Sequence, residues 1–249
     1  MERTEWLKQM RDKAEKLYDL YASRYWVDIG LYRPDEPTDE PTLEYLQKFL
    51  ERIQLHSNLL SAGCGTGRWD GVLLEAGHSV VGIDQSAGML ARARERFPEA
   101  RYEKIAMQDM DFREEFDGAI CIEALEHVFP EDWPVIMNGF SRALKPGGLL
   151  YFNADLGGGR EKDAYERAKA QGLPVVFGEV ADQVEALFAQ AVESGGKMKA
   201  VDEMVYHYCP SVEQVRDWIE QAEMVIDMEK TRKEGEIYLV GYFLTRKVQ

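Results

Sequence analysis

The chain is short of cysteine, of long apolar runs and of clustered positive charge, and each shortage closes off a class of protein. Cys64, Cys121 and Cys209 are the only cysteines in 249 residues. They are odd in number, far apart and without CxxC or Cys/His metal spacing, so neither a disulfide scaffold nor a metal site is expected. They read as reduced packing thiols. No stretch approaches the roughly 18 apolar residues that cross a bilayer. The first ten residues, MERTEWLKQM, are charged, so the expected location is cytoplasmic, away from the membrane. Thirty basic against forty-five acidic residues give a net charge of −15. The bases are interleaved with acids, as in Arg92, Arg94, Glu95, Arg96 and Glu99, the pattern of solvated helix faces. A nucleic-acid backbone would be repelled, so no nucleic-acid partner is expected. Internal repeats are also missing, and no feature sets an oligomeric state.

What is present is a composition 45% apolar and 30% charged, which suits one compact unit with a real core. Leu7, Met10, Ala14, Leu17, Tyr18 and Tyr21 recur at helical spacing, so an amphipathic helix rich in aromatics opens the chain. A turn-rich passage with Pro34, Pro37 and Pro41 follows. A second helix is marked by Leu43, Leu46, Phe49, Leu50 and Ile53, with Thr38 or Asp39 as its cap.

From Asn58 the texture changes to short apolar runs alternating with helical patterns, the signature of βαβ units and a parallel sheet. Strands are expected at Asn58–Ala62, Ser79–Asp84, Arg101–Met107, Phe116–Ile122 and Gly148–Ala154, with helices starting near Arg68, Ser86 and Asp132. Residues 155–209 break the rhythm with two glycine clusters and one amphipathic helix through Val180, Val184, Leu187, Phe188 and Ala191. An insertion of that length suggests a lid or cap. A helix from Ser211 and a hairpin of Glu223–Thr231 with Glu236–Arg246 end the chain.

The segment LLSAGCGTG, Leu59 to Gly67, lies between a strand and a helix. Gly63, Gly65 and Gly67 remove the side chains that would keep a ligand from the backbone. Asp84 ends the next strand in VVGID, where a carboxylate can accept from both hydroxyls of a ribose. The spacing is GxGxG, not the GxGxxG of dinucleotide binders, and the lysine and Ser/Thr of a phosphate-gripping loop are missing. These features point to a nucleoside ligand without phosphates.

On these residues the sequence resembles the class I S-adenosylmethionine-dependent methyltransferases, closely their small-molecule branch. The motifs are LLSAGCGTG, then GIDQSAGML (Gly82–Leu90), MQDM (Met107–Met110), ALEHV (Ala124–Val128) and LKPGG (Leu144–Gly148). Together they run in the family's order through most of the chain. The resemblance implies an α/β fold, Rossmann-like and doubly wound. Its mostly parallel seven-stranded sheet would end in an antiparallel strand, here Glu236–Arg246. The division it suggests is a helical segment over residues 1–56, a cofactor-binding core over 57–154, an inserted cap over 155–209 and a closing helix and hairpin over 210–249. It implies S-adenosyl-L-methionine as cofactor, with the glycine loop (Gly63, Gly65, Gly67) at the methionine moiety and Asp84 at the ribose. Gln85 would lie at the adenine or ribose edge, Asp109 at the adenine amino group, Met110 nearby and Ile122 packed against the ligand. Tyr25, in YDLYASRYW, falls in a segment similar to one that folds over the cofactor in many relatives. Ser61 stands where family members often carry Asp or Glu. Serine accepts a hydrogen bond but supplies no charge, which leaves either a lower cofactor affinity or another acid in its place.

Methyl transfer needs a base only if the acceptor must lose a proton. His127, just after the fourth strand, is the candidate catalytic residue, with Glu123 and Glu126 as alternatives. His56 and His78 are expected in solvent on the opposite edge. The N-terminal aromatics, the insertion, and Tyr206, His207 and Tyr208 are expected to line a pocket for a small-molecule acceptor, methylated on an O, N or C atom. No Asn-Pro-Pro-Tyr type motif of nucleic-acid enzymes occurs after the fourth strand, and no CxxxCxxC cluster supports radical use of the cofactor. Two alternatives stay open: a non-catalytic cofactor-binding regulator on the same fold, and a nicotinamide-dependent oxidoreductase.

Overall fold

The structure is a computed structural model and describes residues 1–29, 41–157, 160–183, 204–234 and 238–248. Helices α1 (Arg3–Ile29) and α2 (Pro41–Leu50) precede a run of β1 (Asn58–Ala62), α3 (Asp70–Glu75), β2 (Ser79–Asp84), α4 (Ala87–Arg96), β3 (Arg101–Lys104), β4 (Phe116–Cys121), α5 (Trp133–Ala143) and β5 (Leu144–Leu156). Then come α6 (Arg160–Ala170), β6 (Glu179–Gln183), β7 (Met204–Tyr208), α7 (Val212–Gln221), β8 (Met224–Glu234) and β9 (Tyr238–Lys247). The main sheet has seven strands in the order β3-β2-β1-β4-β5-β9-β8. The first five are parallel, and β9 runs antiparallel to both β5 and β8. This is the expected doubly wound sheet with an antiparallel last strand.

Strand parity sorts the core into two layers. Leu59, Val80, Ile120 and Tyr151 turn toward Leu46 and Phe49 of α2 and Leu73 of α3. Their neighbours Leu60, Val81, Ala119, Cys121 and Phe152 turn toward Trp133, Ile136 and Phe140 of α5 and Val215 and Ile219 of α7. With helices over both faces, the central strands read as continuous apolar runs. Strand order reverses at β1 and β4, so a crevice opens beyond their carboxyl ends.

Helix α1 lies across that crevice. Its Asp19 accepts from the Ser86 hydroxyl (2.6 Å) and the Gly88 amide (2.8 Å), capping α4 from outside. A Cβ at Gly88 would stand 2.9 Å from the Asp19 carbonyl oxygen, so glycine is what lets the helices cross there.

Several local expectations change. The third strand ends at Lys104 rather than Met107, and the chain turns into a 3-10 helix over Met107–Asp109. The helix expected near Arg68 begins at Asp70, because the glycine loop continues as turns through Trp69. Glu179–Gln183 is a strand paired with β7, not the start of a helix; the rest of that expected helix, Val184 to Ala191, falls outside the described residues. Helix α6 gave no sequence signal because it buries no large aliphatic residue: Ala164 packs beside Cys209, and Ala168 and Glu161 are its other buried positions. The cap residues Thr38 and Asp39 also lie outside the described residues. His78 is buried, not solvated, and its Nδ1 has no hydrogen-bond partner; His56 is exposed, with Nδ1 donating to the Gly77 carbonyl (3.2 Å).

Candidate active site

The crevice holds a cavity roofed by α1 and floored by the loops after β1, β2 and β4. Of the residues expected at the site, Tyr25, Gly63, Gly65, Asp84, Gln85 and His127 all line it. Gly63 and Gly65 have φ of +65° and +53°, the left-handed region that glycine adopts without strain. A Cβ at Gly63 would stand 2.5 Å from that of Ala124, whereas one at Gly65 would meet nothing within 4 Å and would occupy open space.

Asp84 holds this floor together. Its Oδ2 accepts from the Gly65 amide (2.9 Å) and its Oδ1 from the Ser86 amide (2.8 Å), tying the glycine loop to the start of α4. Burial nevertheless raises its pKa above the usual carboxylate range, against the pull of these bonds.

Gly67, Asp109, Met110 and Ile122 lie outside the lining. Gly67 leaves room for the Phe97 ring, 2.9 Å from where a Cβ would be. Asp109 is exposed at the end of the 3-10 turn, beside a shallow surface depression. Met110 is buried against Gly139 of α5. Ile122 falls on the wrong parity: Cys121 faces the cavity side, with Sγ 3.5 Å from Met107 Sδ, and Ile122 packs in the α2 layer.

His127 ends a 3-10 turn, Leu125–His127, and is held from two sides. Its Nε2 lies 2.6 Å from the Tyr18 hydroxyl and its Nδ1 3.2 Å from the Tyr206 carbonyl oxygen. A carbonyl only accepts, so Nδ1 carries the proton and Nε2 accepts from Tyr18. Burial lowers the pKa of His127 and raises that of Tyr18 far above the ordinary phenol, so both are neutral near pH 7. On α1 the Tyr25 ring meets those of Tyr18 (6.4 Å between centroids) and Tyr21 (5.6 Å) edge-on.

The surroundings of three residues already named in the sequence could not be read from it. Tyr18 is the direct partner of His127, across 109 positions of chain. Glu123 sits at φ +56° on the cavity wall, its amide donating to Asn153 Oδ1 (2.7 Å) and its carboxylate accepting from Arg68 (2.6 Å). Such backbone strain gathers where surroundings over-determine a conformation, and a glutamate gives no signal of it. Burial pushes the carboxyl of Glu126 up to about 8, with Asp155 and Glu123 adding to it. Within the expected acceptor pocket, Tyr206 lines the cavity and the His207 ring faces that of His127 (4.9 Å), while Tyr208 turns away toward Trp218 (6.5 Å).

Ser61 is buried beneath the loop, and its hydroxyl faces the carboxyl of Asp70, which also accepts from the Tyr102 hydroxyl (2.9 Å). Asp70 is fully buried and does not line the cavity, so it does not take the place of an acid at position 61. Burial pushes the Asp70 carboxyl up to about 6, while the bond from Tyr102 and the nearby Ser61 hydroxyl pull it down. An acid with a raised folded pKa binds its proton more tightly folded than unfolded. The stability it contributes is therefore present at low pH and lost as pH climbs from about 4 to about 6. Asp70→Asn is expected to raise the unfolding free energy by roughly 2 kcal/mol near pH 7.5 and leave it unchanged near pH 4. Urea titrations at the two pH values check this.

Among the described residues no cluster of three or more His, Cys, Asp or Glu side chains is placed to hold a metal, and no helix is long and apolar enough to cross a membrane.

Comparison with known proteins places this geometry. Residues 59–148 match the model of a methyltransferase domain. The ubiquinone biosynthesis O-methyltransferase of Alkalilimnicola ehrlichii is 30% identical over 152 residues, covering 59% of this chain and 60% of that protein. The chain therefore spans less than two thirds of that curated relative. Among solved structures, an S-adenosylmethionine-dependent methyltransferase from Methanosarcina mazei superposes with a TM-score of 0.64 at 18% identity, covering 80% of this chain and 95% of that one. The 1,6-didemethyltoxoflavin-N1-methyltransferase of Burkholderia thailandensis, solved with its acceptor and S-adenosylhomocysteine, gives 0.59 at 17% identity, covering 96% and 90%.

Proposed function

We propose that this chain, whose residues 59–148 match the model of a methyltransferase domain, moves a methyl group from S-adenosyl-L-methionine to a small-molecule acceptor. The observation that carries this reading is the convergence on one cavity of the Gly63–Gly65 cradle, the Asp84 carboxylate and the Tyr18–His127 pair. The fit to the cofactor rests on the open space at Gly65 and on a carboxylate that faces the cavity from the end of β2, suited to ribose hydroxyls. Asp84 and Gln85 would hold the nucleoside, and the glycine loop the amino-acid part, with Tyr25 in the roof.

When bound, the cofactor supplies a methyl group on a positively charged sulfur, already activated for displacement. The protein's part is to orient the acceptor and to manage its proton. Neutral His127 presents a lone pair at Nε2, toward which Tyr18 donates. An acceptor hydroxyl donating to Tyr18 Oη can pass its proton to that oxygen as the Tyr18 proton passes to Nε2. A hydroxyl needs this service and a free amine does not, so the pair favours an oxygen acceptor among the O, N and C possibilities. The O-methyltransferase name of the curated relative agrees with that choice.

A net charge of −15 argues against nucleic acid as the acceptor, and a chain with only three cysteines, widely spaced, suits a reducing cytoplasm. The test is a metabolite screen with methyl-labelled cofactor read by mass spectrometry. An acceptor that gains one labelled methyl supports the proposal. Cofactor binding with no transfer to any hydroxyl, amine or carbon acid would instead mark a binding protein.

A further inference from the structure

The choice of which His127 nitrogen carries the proton is made by the backbone of the small sheet. The Tyr206 carbonyl that takes the Nδ1 hydrogen belongs to β7, one half of a two-stranded sheet. A lone strand pair is marginal by itself, so its position must be imposed by something else. Glu179, on β6, is fully buried. Its Oε1 accepts from the Tyr206 hydroxyl (2.7 Å) and from Arg3 (2.7 Å), and its Oε2 from Arg3 (3.0 Å) and the Val176 amide (2.6 Å). Every acceptor site of that carboxylate has a donor. Arg3 also grips Glu131 (2.5 Å), just beyond the histidine turn. The Tyr206 ring is wedged edge-on between Phe129 (4.4 Å) and Trp6 (5.8 Å). One buried carboxylate thus fixes the start of α1, the chain after His127 and both strands of the small sheet relative to one another.

We propose that Glu179, through Arg3 and Tyr206, is the positioning residue for His127: it holds the Tyr206 carbonyl against Nδ1 and so keeps Nε2 bare toward the cavity. None of the three needs to touch substrate. Other groups bearing on His127 are Tyr18 from α1, His207 from β7 and Glu126 of its own turn, whose carboxyl is 3.7 Å from Nε2. None of these accepts from Nδ1 in the way the Tyr206 carbonyl does. The role as a catalytic positioner rests on the proposed function; the tautomer does not.

Protein labelled with 15N-histidine contains four such residues, and His127 is assigned by the signals lost in His127→Asn. Long-range proton–nitrogen spectra near neutral pH are expected to show His127 with a protonated Nδ1 and a bare Nε2. Glu179→Gln sets an amide donor against the donors of Arg3 or Val176, and is expected to mix the two tautomers. With the acceptor found in the screen, kcat falls roughly tenfold and its acid limb moves, with S-adenosylhomocysteine affinity unchanged. Tyr206→Phe keeps the ring and loses only the hydroxyl, so it shifts the same signals less; it also serves if Glu179→Gln does not fold. A wild-type His127 protonated on Nε2 overturns the proposal. So does a folded Glu179→Gln with a lower melting temperature but an unchanged tautomer and pH profile, since that is the behaviour of a purely structural clamp. The expected tautomer without methylation of any acceptor would defeat the functional reading and leave the positioning intact.

Discussion

Asp84→Ala weakens S-adenosylhomocysteine binding by roughly 100-fold or more, the largest loss of affinity expected from a single side chain here. The Asp84 carboxylate accepts from Gly65 and Ser86, so its removal leaves two amides of the cavity floor without their partner. It also takes away the acceptor for the ribose hydroxyls. Hydrogen bonds to a charged group contribute about 1.5–3 kcal/mol each, and two of them account for a 100-fold change or more. Asp84→Asn keeps one acceptor oxygen and is expected to fall between wild type and alanine. Isothermal titration of folded protein, with circular dichroism as the check on folding, gives the result. Wild-type affinity in Asp84→Ala would mean that the cofactor does not sit on this carboxylate.

His127→Ala has the opposite signature. Binding of S-adenosylhomocysteine stays within a few-fold of wild type, while kcat drops by roughly 10²–10⁴, the range for a positioned general base. Tyr18→Phe, which removes the hydroxyl through which the acceptor's proton reaches Nε2, also lowers kcat without loss of S-adenosylhomocysteine binding. The sign of the pH dependence follows from burial. A histidine whose pKa is lowered is the free base through neutral pH, so wild-type kcat holds there and falls only as pH drops below about 6.5. An unchanged kcat in His127→Ala would show that the acceptor needs no deprotonation, and would move the choice toward a free amine.

What could be read from the sequence was what is local. Glycine at positive φ and an acid at a strand's carboxyl end are short-range signals, so Gly63, Gly65 and Asp84 were legible as a group. The sheet was legible for a similar reason: strands covered on both faces are apolar throughout, and a hairpin closes the chain. Side-chain direction was not legible. Ile122 is one residue past Cys121, and parity alone turns it into the α2 layer; Asp109 and Met110 depend on a 3-10 turn that the alternation of β3 does not announce.

Long-range partners were hidden for a different reason. Tyr18 reads as one of several aromatics at helical spacing, and nothing in that pattern points to His127, because the contact exists only once α1 crosses the crevice. Glu179 stands just before a stretch read as helix, and its four hydrogen bonds, two of them with Arg3, had no trace in the sequence. Ser61 and Asp70 show the converse. The departure at position 61 was plain, but the carboxyl that faces it was found only through packing around Tyr102.

The most direct test of the account is titration of the wild-type protein with S-adenosylhomocysteine. A single site of roughly micromolar affinity is predicted, with a melting temperature that rises as ligand is added. No heat of binding and an unmoved melting temperature at about millimolar ligand would contradict it, because the Gly63–Asp84–His127 cavity would then not be a cofactor site.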